Sequence, residues 1–267
     1  MAVIKMNFLS QALRMQTNVT ICLPSFSFAD IRQGREDVYV PGMKYQVLWL
    51  LHGGTGDDSD YVNFTNIVRY ADDNKLAVVM PPDFNAMYND DPNGAKYFTF
   101  VAEELPKMCR AIFPFSDKRE DNFVGGLSMG AIGTFKLAVT YPENYAAALC
   151  MSGGGRGPGG NNGKDRTPEP SFPGADPNGI NDPWNYIKTQ VAAGKEMPQF
   201  FFTVGSEDTG ANPDSKTTAQ RCIDLGCKVY FEEVPGYKHE WDFWDLTLRK
   251  AIKSWLPIKH SVIYPES

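Results

Sequence analysis

The stretch from Asp121 to Tyr141 constrains the chain most. At its centre, Gly126-Leu127-Ser128-Met129-Gly130 forms a Gly-x-Ser-x-Gly pattern, with the apolar pair Phe123-Val124 before it and a helix-like segment after it. That is the order strand, tight turn, helix, with a serine at the turn. A serine that has to meet an electrophile stands out of the chain only on a sharp turn with a strained backbone. Glycines two residues before and two after remove the side chains that would collide there. The following segment carries Ala131, Ile132, Phe135, Leu137, Ala138 and Val139, and Pro142 stops it. Its first turn would aim N–H groups at any negative charge formed beside Ser128. A glycine-rich turn that only packs a helix on a strand is the competing reading, and the flanking pattern favours the nucleophile elbow.

The rest of the chain alternates strands with helices. Tyr45 to Leu51 is an almost unbroken apolar run, as expected of a strand covered on both faces. Ala77 to Met80, Ala146 to Met151, Gln199 to Val204 and Lys228 to Val234 read as further strands. Helical spacing is found over Tyr61 to Asn74, over Tyr97 to Phe113 with a kink at Pro106, over Lys216 to Leu225, and from Trp241 onward. This predicts an α/β fold, a mostly parallel sheet with helices on both faces, preceded by an N-terminal antiparallel hairpin of Val3 to Leu9 and Thr17 to Leu23. Ser25 to Tyr45 reads as loop. One domain is expected over residues 1–267.

From Ser152 to Asp182 the composition shifts to Gly, Pro, Asn and charged residues, and residues 152–183 are expected to form a lid or flap over Ser128. Trp184 and Tyr186 at its exit are candidate substrate contacts. Trp241, close to His239, is a third, although the aromatics of that last helix read as core in the first instance.

Composition narrows the function. A net charge of −6 and the lack of a basic stripe argue against nucleic-acid binding. The start, Met1 to Asn7, has no basic region followed by a long apolar run, and no later run is long enough to span a bilayer, so a cytoplasmic location is expected. The cysteines, Cys22, Cys109, Cys150, Cys222 and Cys227, have no metal-ligand rhythm and read as free thiols. Asp57, Asp58 and Asp60 lack the spacing of a calcium loop and read as a helix N-terminal cluster. Neither a metal nor an organic cofactor is expected, and the oligomeric state is open, a homo-oligomer included.

The partners of Ser128 come by elimination. The chain has three histidines. His52 belongs to His52-Gly53-Gly54-Thr55-Gly56 and reads as a brace of that loop, and His260 lies in the tail beyond Pro257. His239, between a strand and a helix, remains as general base. Asp208, just after the preceding strand, is the candidate to hold the imidazole, with Glu207, Asp182 and Asp214 as competing carboxylates. The glycine loop at the end of a buried strand offers an oxyanion donor at Gly54, and the residue after the nucleophile offers a second at Met129.

Taken together, Leu50-Leu51-His52-Gly53-Gly54-Thr55-Gly56-Asp57, Gly125 to Gly130, Gly205-Ser206-Glu207-Asp208 and Gly236-Tyr237-Lys238-His239-Glu240-Trp241-Asp242-Phe243-Trp244 resemble the esterase D-like branch of the α/β-hydrolases. This branch holds tributyrin esterases, S-formylglutathione hydrolases, and the acetyl-xylan and feruloyl esterases of carbohydrate esterase family 1. The resemblance implies an α/β-hydrolase fold. It also implies Ser128 as nucleophile, Asp208 as acid, His239 as base, and Gly54 with Met129 as oxyanion hole. The partner implied is a small-molecule ester or an acylated sugar. S-formylglutathione hydrolases usually carry a cysteine where this chain has Gly56, which directs the expectation to the tributyrin and feruloyl esterase side. An acyltransferase similar to the mycolyltransferases, and a catalytically silent binding protein on the same scaffold, are the other readings.

Overall fold

All five residues of β3 (Val47–Leu51) are buried. Successive strand residues point to opposite faces, so an apolar run of this kind demands cover on both. The computed structural model describes residues 1–35, 38–155 and 183–265, and it supplies that cover. β1 (Ala2–Ser10), β2 (Met15–Leu23), β3, β4 (Ala77–Met80), β5 (Asn122–Leu127), β6 (Ala147–Met151), β7 (Gln199–Gly205) and β8 (Val229–Val234) form one sheet. Its order is β1-β2-β4-β3-β5-β6-β7-β8. β1 and β2 form an antiparallel hairpin and β2 runs antiparallel to β4, while the neighbouring pairs from β4 to β8 are parallel.

The pleat sorts the core into two layers. Val47, Trp49 and Leu51 face a cluster with Leu105, Phe135, Ile187 and Cys222, contributed by α5 (Leu105–Ile112), α6 (Met129–Thr140), α7 (Pro183–Ala192) and α8 (Asn212–Asp224). Leu48 and Leu50 face a second cluster with Tyr61, Ile67, Phe243 and Leu248, from α2 (Asp60–Phe64), α3 (Ile67–Asp73) and α9 (Trp241–Lys250). Helices therefore flank the sheet on both sides, as the alternating pattern predicts. None of the described helices is long and apolar enough to cross a membrane.

Local chemistry changes some expected boundaries. The helix expected over Tyr61 to Asn74 breaks at Thr65, which is extended at φ −135° and ψ 173°. The Thr65 hydroxyl donates to the Tyr61 carbonyl and accepts the Ile67 N–H at 3.1 Å, closing α2 and opening α3. Within the expected Ser25 to Tyr45 loop lies a short helix, α1 (Phe28–Arg32), whose Asp30 carboxylate accepts the Ser27 N–H at 2.9 Å. Pro106 does not break the helix of Tyr97 to Phe113. α4 (Tyr97–Thr99) continues through a π-helical turn, Phe100–Glu104, into α5, where Pro106 sits in the first turn. The turn that Pro106 cannot close with an N–H is the one where the helix passes from π-helical to α-helical winding. The expected flap falls, over residues 156–182, outside the described residues, and so does Asp182.

Candidate active site

Backbone geometry at the end of β5 explains the glycine spacing. Ser128 has φ 53° and ψ −115°, a conformation costly to a residue with a Cβ. A Cβ on Gly126 would overlap the carbonyl of Gly130, and one on Gly130 would overlap the carbonyls of Leu51 and His52. Both glycines are needed for α6 to start this close to β3 and β5. The Ser128 N–H donates to the Met151 carbonyl at 2.8 Å, which ties the turn to β6.

Three loops at the carboxyl ends of the strands meet here. The Ser128 hydroxyl lies 2.9 Å from Nε2 of His239, and Nδ1 of His239 lies 2.7 Å from Oδ2 of Asp208. A carboxylate only accepts, so Nδ1 carries the imidazole proton and Nε2 is left to accept from Ser128. Asp208 is 4% exposed and its other oxygen accepts the Ala211 N–H at 3.0 Å, which fixes the carboxylate in place. Glu207 is exposed and pairs with Lys238 at 3.9 Å. Of the described carboxylates proposed for the role, Asp208 is the one bonded to His239.

Trp244, expected from its helix to be core, also braces the imidazole. Its ring stands edge-on to His239 at 5.0 Å between centroids, and its indole N–H donates to the Ser152 hydroxyl at 3.0 Å. His52 has no part in the relay. Its Nδ1–H donates to the Gly53 carbonyl at 2.7 Å, its Nε2 is buried without a partner, and burial lowers its pKa. A neutral ring bracing the glycine loop fits those facts.

The relay opens into a cavity of about 760 Å³ lined by Gly54, Met129 and residues of several loops. The N–H groups of Ala131 and Ile132 already donate to the Ser128 carbonyl. The amides of Met129 and Gly130 thus precede the first intrahelical bond and are the donors a helix start leaves over. Gly54 stands at the carboxyl end of β3, in a loop held by the Thr55 N–H donating to Oδ1 of Asn85 at 2.6 Å. Gly54 and Met129 are therefore placed on the cavity beside Ser128.

The three aromatic substrate contacts expected from sequence lie elsewhere. Trp184 is 1% exposed, packed on Phe135 at 5.0 Å with the Arg221 guanidinium 3.7 Å over its ring. Tyr186 packs half-buried against the same cluster. Trp241 packs on Phe64 and Trp244 at 5.0 and 5.1 Å. None of them is among the described residues lining the cavity. Their large apolar areas are taken up by helix packing. Asn85, Met87 and Ile132 line it instead. Among the described residues, no group of three or more His, Cys, Asp or Glu is placed to hold a metal ion.

Known proteins similar to this chain bear on this site. An acetyl esterase of Caldicellulosiruptor saccharolyticus is 32% identical over 153 residues, which is 57% of this chain and 56% of that protein. The chain thus spans about half the length of that relative. Two solved Staphylococcus aureus structures are similar along nearly the whole chain. One is FphF, a fluorophosphonate-binding serine hydrolase with substrate bound, at TM-score 0.80 and 28% identity, covering 96% of this chain and 98% of that one. The other is the apoenzyme of an S-formylglutathione hydrolase, FrmB, at TM-score 0.75 and 28% identity with the same coverage. The family model Esterase, described as "Putative esterase", matches residues 10–255. That span takes in the sheet from β2 onward, the elbow, and all three members of the relay, and by it the chain belongs to the Esterase family.

Proposed function

We propose that the protein is a serine carboxylesterase, hydrolysing short-chain acyl or feruloyl esters, those of acylated sugars included, through an acyl-enzyme. The reading rests above all on the connected relay, Ser128 hydroxyl to His239 to Asp208 at 2.9 and 2.7 Å. In this mechanism Nε2 of His239 takes the Ser128 proton as Oγ attacks the ester carbonyl. The amides of Gly54 and Met129 hold the oxyanion, and Asp208 stabilises the imidazolium. The proton then passes from His239 to the departing alkoxide, leaving alcohol and acyl-serine. Water, deprotonated by His239, attacks the acyl-serine, and collapse releases the carboxylic acid and restores Ser128. The acetyl esterase relative and the serine hydrolase FphF support the same reading.

A second reading, thioester hydrolysis, is supported by the likeness to the S-formylglutathione hydrolase structure. The glycine loop departs from the pattern implied by that activity. A Cβ at Gly56 would overlap the Asp60 carboxylate, so a cysteine there needs Asp60 to move. The experiment compares acetyl, butyryl and feruloyl esters with S-formylglutathione, in the wild type and in Ser128→Ala. The variant is expected to lose turnover by about 10⁴-fold or more and to escape fluorophosphonate labelling while keeping its fold. Ordinary turnover of p-nitrophenyl acetate by the folded variant refutes the assignment, and a preference for S-formylglutathione selects the second reading.

A further inference from the structure

Ser128 stands at the end of β5, with β3 and β4 on one side of it in the sheet and β6, β7 and β8 on the other. The loops after β7 and β8 bring Glu207, Thr209, Lys238 and His239 to the cavity, and the loop after β4 brings Asn85 and Met87. In the reaction proposed above, His239 hands its proton to the leaving alcohol. The alcohol must then lie on the β7 and β8 side, against a charged and polar wall. The acyl chain extends the other way, towards Met87, Met129 and Ile132.

The helix and the β4 loop fix how far it can reach. Ser128, Ile132 and Lys136 follow one another at four-residue spacing, so they share a stripe along α6. Lys136 Nζ donates to the Met87 carbonyl at 2.9 Å and also to Oδ1 of Asn89, so the stripe carrying Ile132 faces the Met87 loop. That loop is unusual in its backbone. Phe84, Asn85, Met87 and Tyr88 have φ of 47°, 62°, 58° and 51°, and none is glycine. Such strain persists only where the surroundings over-determine it, and it clusters at ligand clamps.

Here the surroundings do so from behind. Oδ1 of Asp83 accepts the Tyr88 N–H at 2.9 Å, and the Tyr88 hydroxyl donates to the His52 carbonyl at 3.0 Å. The Tyr88 ring fills the space left by Gly133, where a Cβ would come within 2.5 Å of it. In front, Asn85 accepts from Thr55 and so joins this loop to the one bearing Gly54. A wall held at so many points does not yield to a longer chain.

We propose that Met87, seated on this locked loop, and Ile132 form the stop that sets acyl-chain length, so that the preferred substrate is a short aliphatic acyl group on a hydrophilic alcohol. This assignment rests on the esterase reading. It is tested with p-nitrophenyl esters from acetate to octanoate, which hold the leaving group constant. Wild-type kcat/KM is expected to fall steeply beyond butyrate. In Met87→Ala and Ile132→Ala the optimum moves to hexanoate or octanoate, with the octanoate-to-acetate ratio rising at least about tenfold, within the range for opening an apolar pocket by a few methylenes. Met87→Phe acts in the opposite sense and favours acetate over butyrate. An acyl profile unchanged in active Met87→Ala, Ile132→Ala and the double variant overturns the proposal. So does a change in the ranking of alcohols at fixed acetate where the acyl ranking stays put. If the wild type turns over none of the esters and Ser128 takes no fluorophosphonate label, the esterase reading itself falls and this one with it, which sets that failure apart from the others.

Discussion

Asp208 and Glu207 are neighbours in sequence with opposite surroundings. The Asp208 carboxylate is buried and bonded to the imidazole at 2.7 Å, while Glu207 is exposed and pairs with a lysine at 3.9 Å. Replacing Asp208 by Asn substitutes an amide that can stabilise the wrong imidazole tautomer. On the proposed mechanism, kcat falls by about 10⁴-fold. Glu207→Gln, on the alcohol side, registers in KM, with kcat changed by less than about tenfold. Steady-state kinetics on one ester separates the two patterns, and equal losses in kcat would reject the roles given to them. The residues of the relay were legible in the sequence because few side chains can do this chemistry. Three histidines and one elbow serine leave little choice. Trp184 and Tyr186 were not legible as packing residues because an aromatic on a helix records a need for burial, and the direction of burial depends on how the helix is rotated against the sheet, whereas Trp241 could be read as core with the other aromatics of its helix. Asn85 and Met87 left no trace either, since nothing in a polar loop marks the residues that will adopt left-handed backbone.

At the level of elements, the buried strands announced themselves as apolar runs and the elbow as glycine spacing. The capping threonine at Thr65 and the π-helical turn ahead of Pro106 depended on hydrogen bonds that composition does not record. The loop after β4 carries a testable electrostatic consequence. Asp83 is fully buried, and its Oδ2 has no hydrogen-bond partner. Burial pushes its carboxyl up to about 7 from an ordinary value of 3.8, against the pull of backbone N–H groups and the Lys136 ammonium. An acid raised in this way holds its proton more tightly folded than unfolded, so stability falls as pH rises from about 4 towards 7 and levels off above. Its slope is on the order of 1.4 kcal/mol per pH unit within that window. Asp83→Asn keeps an acceptor for the Tyr88 N–H and loses the titration. Urea denaturation at pH 5, 6, 7 and 8 should show a decline in the wild type that is flatter in the variant. Parallel curves would rule out Asp83 as its source.

For the molecule as a whole, the strand order decides what a single elbow can be used for. The strands could be read in sequence one by one, but their order could not, because parallel neighbours need not be consecutive. β4 lies beside β3 and reaches β5 only across it, while β6, β7 and β8 continue on the far side. Two unrelated sets of loops are thereby delivered to opposite flanks of one hydroxyl, and each is free to change without disturbing the other. Ser128 itself is held at φ 53°, and left-handed backbone of this kind costs a non-glycine residue about 1–3 kcal/mol. Ser128→Gly should accordingly unfold at higher denaturant than the wild type, by about 1 kcal/mol, whereas Ser128→Ala, which keeps a Cβ, gains nothing. Equal midpoints for the two variants would mean that the turn carries no such strain. Breeding this protein for heat resistance alone would then drift towards glycine at 128, and on the proposed mechanism the hardiest survivors would be inert.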